Sequence, residues 1–248
     1  MRMDSQDKLE VCWRIINAYK SGALGSYSPP ESIVPGFSSF EDKLRYYTLP
    51  MALNYRRQSG QLWEAAKTSY EDTKTRHLYD LAYVSRMSLL EVQDLLSIHH
   101  LAMQPVRHSL TWKTIAENIY ANWGSIEKLL YTADKDFLVL KELVQFRYKK
   151  AFPYLSGPKI FNFWCFILSS RCNVIFQHGE LIDIAVDGHI RRSSAQIGIV
   201  TLDEAQSLPA EAIAQRWRSL LHATDIRPVD LNIPLWYWSR NKFRFNSE

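Results

Sequence analysis

Apolar residues recur at helical spacing along most of the chain. Ile160, Phe163, Trp164 and Ile167 fall at i, i+3, i+4 and i+7 and predict a helix over 159–170. Phe137, Leu140, Val144 and Tyr148 follow a similar period, so 136–150 reads as a second helix, joined to the first by Ser156-Gly157-Pro158. Glycine takes positive φ at little steric cost, and proline suits a first helical turn because its missing N–H would be unpaired there anyway. Lys159 is therefore expected at the mouth of a helix. Such a joint leaves backbone N–H groups facing outward, an arrangement suited to a phosphate oxygen. Asp187 stands at the N-cap position of a further helix that reads through Ile190, Ala195 and Ile197 to Gly198.

The remainder is also mainly helical in pattern. Residues 1–20 form an amphipathic helix with Leu9, Cys12, Trp13, Ile16 and Tyr19 on one side. Residues 21–39 are rich in Gly, Ser and Pro and read as a loop. Beyond Phe40, Leu44, Tyr47, Leu49, Leu53, Leu62 and Ala66 mark buried faces, and 72–80 reads as a polar loop. Ser88 to Glu91 has the form of a capping box, 112–130 predicts one or two helices, and 210–222 is clearly amphipathic. Helix-forming sequence resumes from Arg227 to Arg240. The one β-prone region is Asn173–Phe176 with Leu181–Ile184, which suggests a small β-hairpin near 173–184.

Composition changes this picture little. With 46% hydrophobic and 13% aromatic residues, 248 residues can bury a sizeable interior as one large domain or two lobes. A formal charge of +4 suits a polyanionic partner only if the positive groups cluster. Lys149, Lys150 and Lys159 gather around the turn, with Arg171, Arg191 and Arg192 on following elements; a solvated charged surface is the alternative. Cys12, Cys165 and Cys172 are odd in number, lack zinc-ligand spacing and follow no signal peptide or apolar span, which points to a reducing, cytoplasmic setting. His99, His100 and His108 are not surrounded by a metal-ligand set.

Gly157-Pro158-Lys159 followed by Val186-Asp187-Gly188-His189 resembles the paired elements of the helix-hairpin-helix DNA glycosylases, the family that includes endonuclease III and the 8-oxoguanine glycosylases. The separation of Lys159 from Asp187 is longer than in the commonest members, the extra length falling in 173–184, and is closer to the archaeal 8-oxoguanine branch. The C-terminal Pro228-Val229-Asp230-Leu231-Asn232-Ile233-Pro234-Leu235-Trp236 resembles that branch's Pro-x-x-Leu-Asp-x-x-Leu-Trp segment, with Asn232 in place of Asp. Asn54-Tyr55-Arg56 followed by Trp63-Glu64 is similar to the stretch whose Trp lines the base pocket in that branch.

The resemblance implies an all-α, two-lobed glycosylase fold with its cleft between the lobes. The first lobe is expected mainly at 40–135 and the helix-hairpin-helix region at 136–198, with 199–248 and 1–39 returning to the second lobe. It implies Lys159 and Asp187 as catalytic residues, Trp63, Asn232 and Trp236 as the base pocket, and Ser156, Gly157, Lys149, Lys150 and Arg191 as DNA contacts. Double-stranded DNA with a damaged or modified base is the expected partner of a monomer. No cofactor or metal is expected, and no cysteine beyond Cys172 supplies an iron–sulfur site.

The chemistry follows from the residue types. A lysine amine freed of its charge by apolar surroundings and a helix N-terminus can attack a sugar C1′ and form a Schiff base, which permits β-elimination. A capping carboxylate stays ionised and stabilises oxocarbenium-like charge. Tryptophan faces stack on a flipped base, and an amide can both donate and accept. Because a carboxylate only accepts, Asn232 opens an alternative to 8-oxoguanine: a modified cytosine, including one in foreign phage DNA. Asp230 would point to another helix face. A non-catalytic DNA-binding protein and a helical scaffold are the remaining readings. Trp63 alone would read as an ordinary core residue.

Overall fold

The computed structural model describes residues 4–25, 28–54 and 57–245. Among these residues there are thirteen α-helices and no β-strand. In chain order they are α1 (Ser5–Lys20), α2 (Phe40–Ala52), α3 (Ser59–Glu71), α4 (Leu81–Arg86), α5 (Leu89–Ile98), α6 (Pro105–Trp123), α7 (Ile126–Thr132), α8 (Phe137–Lys141), α9 (Pro158–Cys172), α10 (Gly188–Ile197), α11 (Leu202–Ser207), α12 (Ala210–Leu221) and α13 (Asn232–Arg240). The chain divides into two compact units: Pro29–Gly179 forms one, and Met1–Ser28 joins Glu180–Glu248 in the other.

In the unit containing both termini, α1 packs with α12 and α13. Its buried stripe is Cys12, Ile15 and Ile16, in one core with Trp217, Leu235 and Trp238. Trp13, expected on that stripe, is 42% exposed instead, because the burying neighbours lie one position round the helix. A capping box between Asp4 and Asp7 starts α1. Helix α10 is the best-tied element here. The Ser193 hydroxyl donates to the Leu235 carbonyl at 3.1 Å, and Ser194 Oγ accepts from Trp217 Nε1 at 2.8 Å while donating to the Ile190 carbonyl.

In the Pro29–Gly179 unit, Leu44, Tyr47, Leu49, Leu53, Leu62 and Ala66 are all fully buried, as the pattern on α2 and α3 predicts. Tyr46, Tyr47, Trp63, Tyr70 and Tyr79 form an aromatic cluster with Phe37, at ring separations of 5.0 to 6.3 Å. Helix α9 lies against α2, where Trp164 Nε1 donates to Thr48 Oγ1 at 3.0 Å. The Glu41 carboxylate on α2 accepts from the Ile126 and Glu127 N–H groups and so caps α7. The capping box at Ser88 and Glu91 is present at the start of α5. The polar stretch 72–80 carries a 3₁₀ turn over Arg76–Tyr79, whose Leu78 and Tyr79 are buried.

Two expectations are corrected. The single helix over 136–150 is broken: α8 passes into a π-helical turn over Glu142–Arg147 and then a 3₁₀ turn over Lys149–Ala151. The cause is Gln145, which the wider turn directs inward so that its Nε2 donates to the Ser156 carbonyl at 2.9 Å. The β-hairpin near 173–184 is absent. Its two runs fall in different units, and Val174, Phe176, Ile182 and Ile184 are each buried without forming strands; only an isolated parallel bridge links Asp136 with Gln177. Gly179–Leu181 is a 3₁₀ turn.

His108 on α6 is fully buried, its Nδ1 accepting the Met103 N–H and its Nε2 without a partner among the described residues. Burial, reinforced by Arg57 and Arg107, pushes its pKa below the ordinary histidine value. The unfolded chain therefore takes up this proton more readily than the folded one. Stability is unaffected by His108 above about pH 6.5 and falls as pH drops below that value. Urea denaturation at pH 7.5 and 5.5 is expected to show a smaller loss on acidification for His108→Gln than for the wild-type chain.

Candidate functional site

The Asp187 carboxylate is set by local geometry. The residue is extended, with φ −109° and ψ −170°, and its Oδ1 accepts from the N–H groups of His189 at 2.8 Å and Ile190 at 2.9 Å. One oxygen thus serves both donors at the start of α10, and the half-buried side chain keeps its other oxygen outside the cap. His189, on the first turn, packs its ring against Trp236 with centroids 5.4 Å apart. Its Nδ1 lies 3.1 Å from Ser239 Oγ and 3.0 Å from Arg192 Nη2. Arginine only donates, so Nδ1 accepts and the imidazole is neutral with its proton on Nε2. Burial lowers its pKa, with Arg192 and Arg240 acting in the same direction and Asp187 opposing them.

Helix α13 carries the other two residues of this group. Asn232 and Trp236 are one turn apart and share a face. Asn232 is 6% exposed, and its Oδ1 accepts from the Ala185 N–H at 2.8 Å. That contact fixes the amide orientation, since a nitrogen in its place could not accept. Nδ2 is then a buried donor without a partner among the described residues. Trp236 is half-buried, with the Arg240 guanidinium 4.7 Å from its ring centre. Asp230 is no substitute for the missing carboxylate, because both its oxygens are taken by Arg227.

Lys159 lies in the other unit, on the first turn of α9. It is exposed, with no hydrogen-bond or ion-pair partner among the described residues, so the apolar burial expected around its amine is not provided. No side chain caps α9, and Pro158 occupies its first position. The N–H groups of the first turn are therefore open at this end. Gly157 is favoured for a different reason from the one expected. Its φ is −65°, and the positive φ falls on Tyr154 at 62°. A Cβ at Gly157 would stand 3.1 Å from the Tyr154 carbonyl oxygen, a tight contact that favours glycine here. Ser156 is buried, with its carbonyl held by Gln145, and its hydroxyl provides no cap.

The remaining expected residues divide sharply. Lys149 and Lys150 are exposed and line an open groove with Phe146 and Tyr148. Arg191 is tied into the fold: Nη1 donates to the carbonyls of Ala205 and Leu208 and so links α10 to α11. Arg171 faces buried Glu31 at 3.8 Å. Trp63 is fully buried against Tyr46 and Tyr47, its indole N–H without a partner among the described residues; it is core, with no open face for a base. Tyr55 and Arg56 of the adjoining stretch lie outside the described residues.

His189, Arg192 and Arg240 are the members of the Asp187 group that periodicity did not single out. His189 carried a signal as the last residue of Val186-Asp187-Gly188-His189, and Arg192 as one of the basic residues that follow the turn. Among the described residues no cluster of three or more His, Cys, Asp or Glu side chains could hold a metal ion. Cys12, Cys165 and Cys172 are buried thiols, and no described helix is long and apolar enough to cross a membrane. Comparison with protein-family profiles, curated proteins and solved structures finds no match to this chain.

Replacing Asn232 by leucine leaves the Ala185 N–H buried and unpaired, which costs about 1–3 kcal/mol. Asn232→Asp retains an acceptor at that point and should cost less. Chemical denaturation of both variants, read as a change in midpoint at constant slope, measures the difference.

Proposed function

We propose that the chain is a DNA glycosylase with lyase activity, in which Lys159 attacks C1′ of a deoxyribose and Asp187 stabilises the positive charge that develops as the base departs. The observation that carries this reading is that the two motifs fall on two dissimilar helix starts, one in each unit. Helix α9 opens on Gly157-Pro158-Lys159 with no side-chain cap, while α10 opens on a carboxylate that caps with one oxygen. The first supplies an exposed amine beside unpaired N–H groups, which favour a phosphate oxygen. The second supplies a fixed anion. Lys159 would lose solvent on engaging DNA, and desolvation favours the neutral, nucleophilic amine.

In the reaction, the Lys159 nitrogen forms a bond to C1′ as the bond from C1′ to the base breaks, and the base leaves with a proton. Ring opening gives a Schiff base, and loss of a C2′ proton expels the 3′ phosphate. Asp187 carries no covalent role in this scheme. Trp236 offers a half-buried indole face on which an extruded base can stack. One turn away on the same helix, the buried Nδ2 donor of Asn232 has no partner among the described residues and could pair with an entering base.

The resemblance of the motifs points first to 8-oxoguanine. The fixed amide of Asn232 favours a second reading. Because Oδ1 is taken by Ala185, the group presents a donor, which suits a base edge rich in acceptors. Cytosine has two acceptors, N3 and O2, beside one amino group on its pairing edge, whereas guanine has one acceptor, O6, beside N1–H and an amino group. A modified cytosine therefore fits the donor better than a guanine-derived base does.

Borohydride trapping on three duplexes tests these statements: one with 8-oxoguanine opposite cytosine, one with 5-hydroxymethylcytosine, and one with an abasic site. A covalent complex lost in Lys159→Gln and reduced at least tenfold in rate in Asp187→Asn is expected, that factor corresponding to about 1.4 kcal/mol. Trapping on the abasic duplex alone retains the lyase and removes both base assignments. Absence of trapping on all three, with duplex binding retained, would replace the enzyme by a DNA-binding protein. Asn232→Asp is expected to shift preference from the cytosine derivative toward 8-oxoguanine, read as the ratio of single-turnover rates on the two duplexes.

A further inference from the structure

The π-helical turn over Glu142–Arg147 has an outer side as well as the inner one that holds Ser156. Three successive residues, Leu143, Val144 and Gln145, face inward, and the next two, Phe146 and Arg147, are forced out. Phe146 is consequently 63% exposed, although an aromatic ring of this size ordinarily finds cover. It borders an open groove of about 550 Å³ whose other walls are Asn118, Arg147, Tyr148, Lys149, Lys150 and Ala151. This volume lies within the roughly 300–1,000 Å³ typical of sites that receive a small ligand or a group of nucleotide size.

The groove's electrostatics are one-sided. Arg147, Lys149 and Lys150 contribute three positive charges, and no carboxylate lines it. Lys149 and Lys150 are exposed, and neither has a hydrogen-bond or ion-pair partner among the described residues. The nearest acidic side chains along the lining elements are otherwise placed: Glu117 is ion-paired with Lys113 at 2.7 Å, and Glu142 begins the π-helical turn outside the lining. Tyr148 is stiffened by edge contact with Trp123 at 5.2 Å, and the Arg147 guanidinium stands 5.5 Å from its ring centre. Asn118 donates its amide to the Thr114 carbonyl, which leaves its oxygen as a polar acceptor at the groove.

We propose that this groove binds an unpaired nucleotide of a single-stranded DNA segment, the base stacking on Phe146 and the flanking phosphates pairing with Lys149, Lys150 and Arg147. The combination of one open aromatic face with three cations matches a strand whose bases are free to stack. A paired duplex hides its base faces, and a purely acidic peptide such as polyglutamate offers no ring to stack on Phe146. The proposal does not rest on the Lys159 chemistry.

The test uses the full chain carrying Lys159→Gln, so that no covalent chemistry intervenes, and a fluorescein-labelled oligodeoxythymidylate of about ten nucleotides. Fluorescence anisotropy is read across a salt series. Phe146→Ala is expected to weaken binding about tenfold and Phe146→Trp to retain it. The double variant Lys149→Gln, Lys150→Gln should reduce the slope of log affinity against log salt by about 1.4. Circular dichroism of each variant checks that helicity is unchanged. Equal affinity for Phe146→Ala and the parent, an unaltered salt slope in the double variant, or equally tight binding of labelled polyglutamate would overturn the proposal. Failure of borohydride trapping would leave it standing, since the probe contains no modified base.

Discussion

The hydrogen bonds that hold α10 are the constraint on which the candidate site depends. Ser193 reaches the main chain of α13, Ser194 receives the indole N–H of Trp217 on α12, and Arg191 ties the helix to α11. Each of these polar groups is buried or half-buried, where an unmatched donor or acceptor is costly, so the partners fix orientation as well as adding stability. Packing of the Cys12, Ile15 and Ile16 stripe behind them supplies the apolar part of the same arrangement. Asp187 and His189 take their positions from a helix that has little freedom to turn.

A second consequence concerns the amide of Asn232. Its oxygen holds the Ala185 N–H two residues before Asp187, so one side chain steadies the approach to the cap and keeps a fixed donor buried beside it. An aspartate could fulfil the first role equally well but would display an acceptor. In the proposed reading, support of the cap and recognition of the base are thus coupled at one position.

The π-helical turn joins the two ends of another problem. A regular helix through 136–150 would carry Gln145 away from the Ser156 carbonyl and leave the turn before α9 without that support. Widening the helix by one residue brings Gln145 inward and expels Phe146 and Arg147. Such π-turns are uncommon and often mark functional positions. Here the same distortion supports the Gly157-Pro158-Lys159 start and builds the outer groove.

Much of the local structure was determined by the sequence alone. The helical period located α1, α9, α10 and α12, and short-range rules placed the Asp187 cap and the Ser88 capping box, because these depend on residues three or four positions apart. The turn at Gly157 was legible, though the close approach of the Tyr154 carbonyl that favours glycine there was not. Tertiary structure decided which polar and aromatic groups remain available. Arg191 is tied to two carbonyls distant in sequence, Trp63 is enclosed by tyrosines from α2, and the β-prone runs of 173–184 are claimed by separate cores. In each case the physical reason is the same: burial and hydrogen-bond partnership are set by residues far along the chain, which a local pattern does not contain.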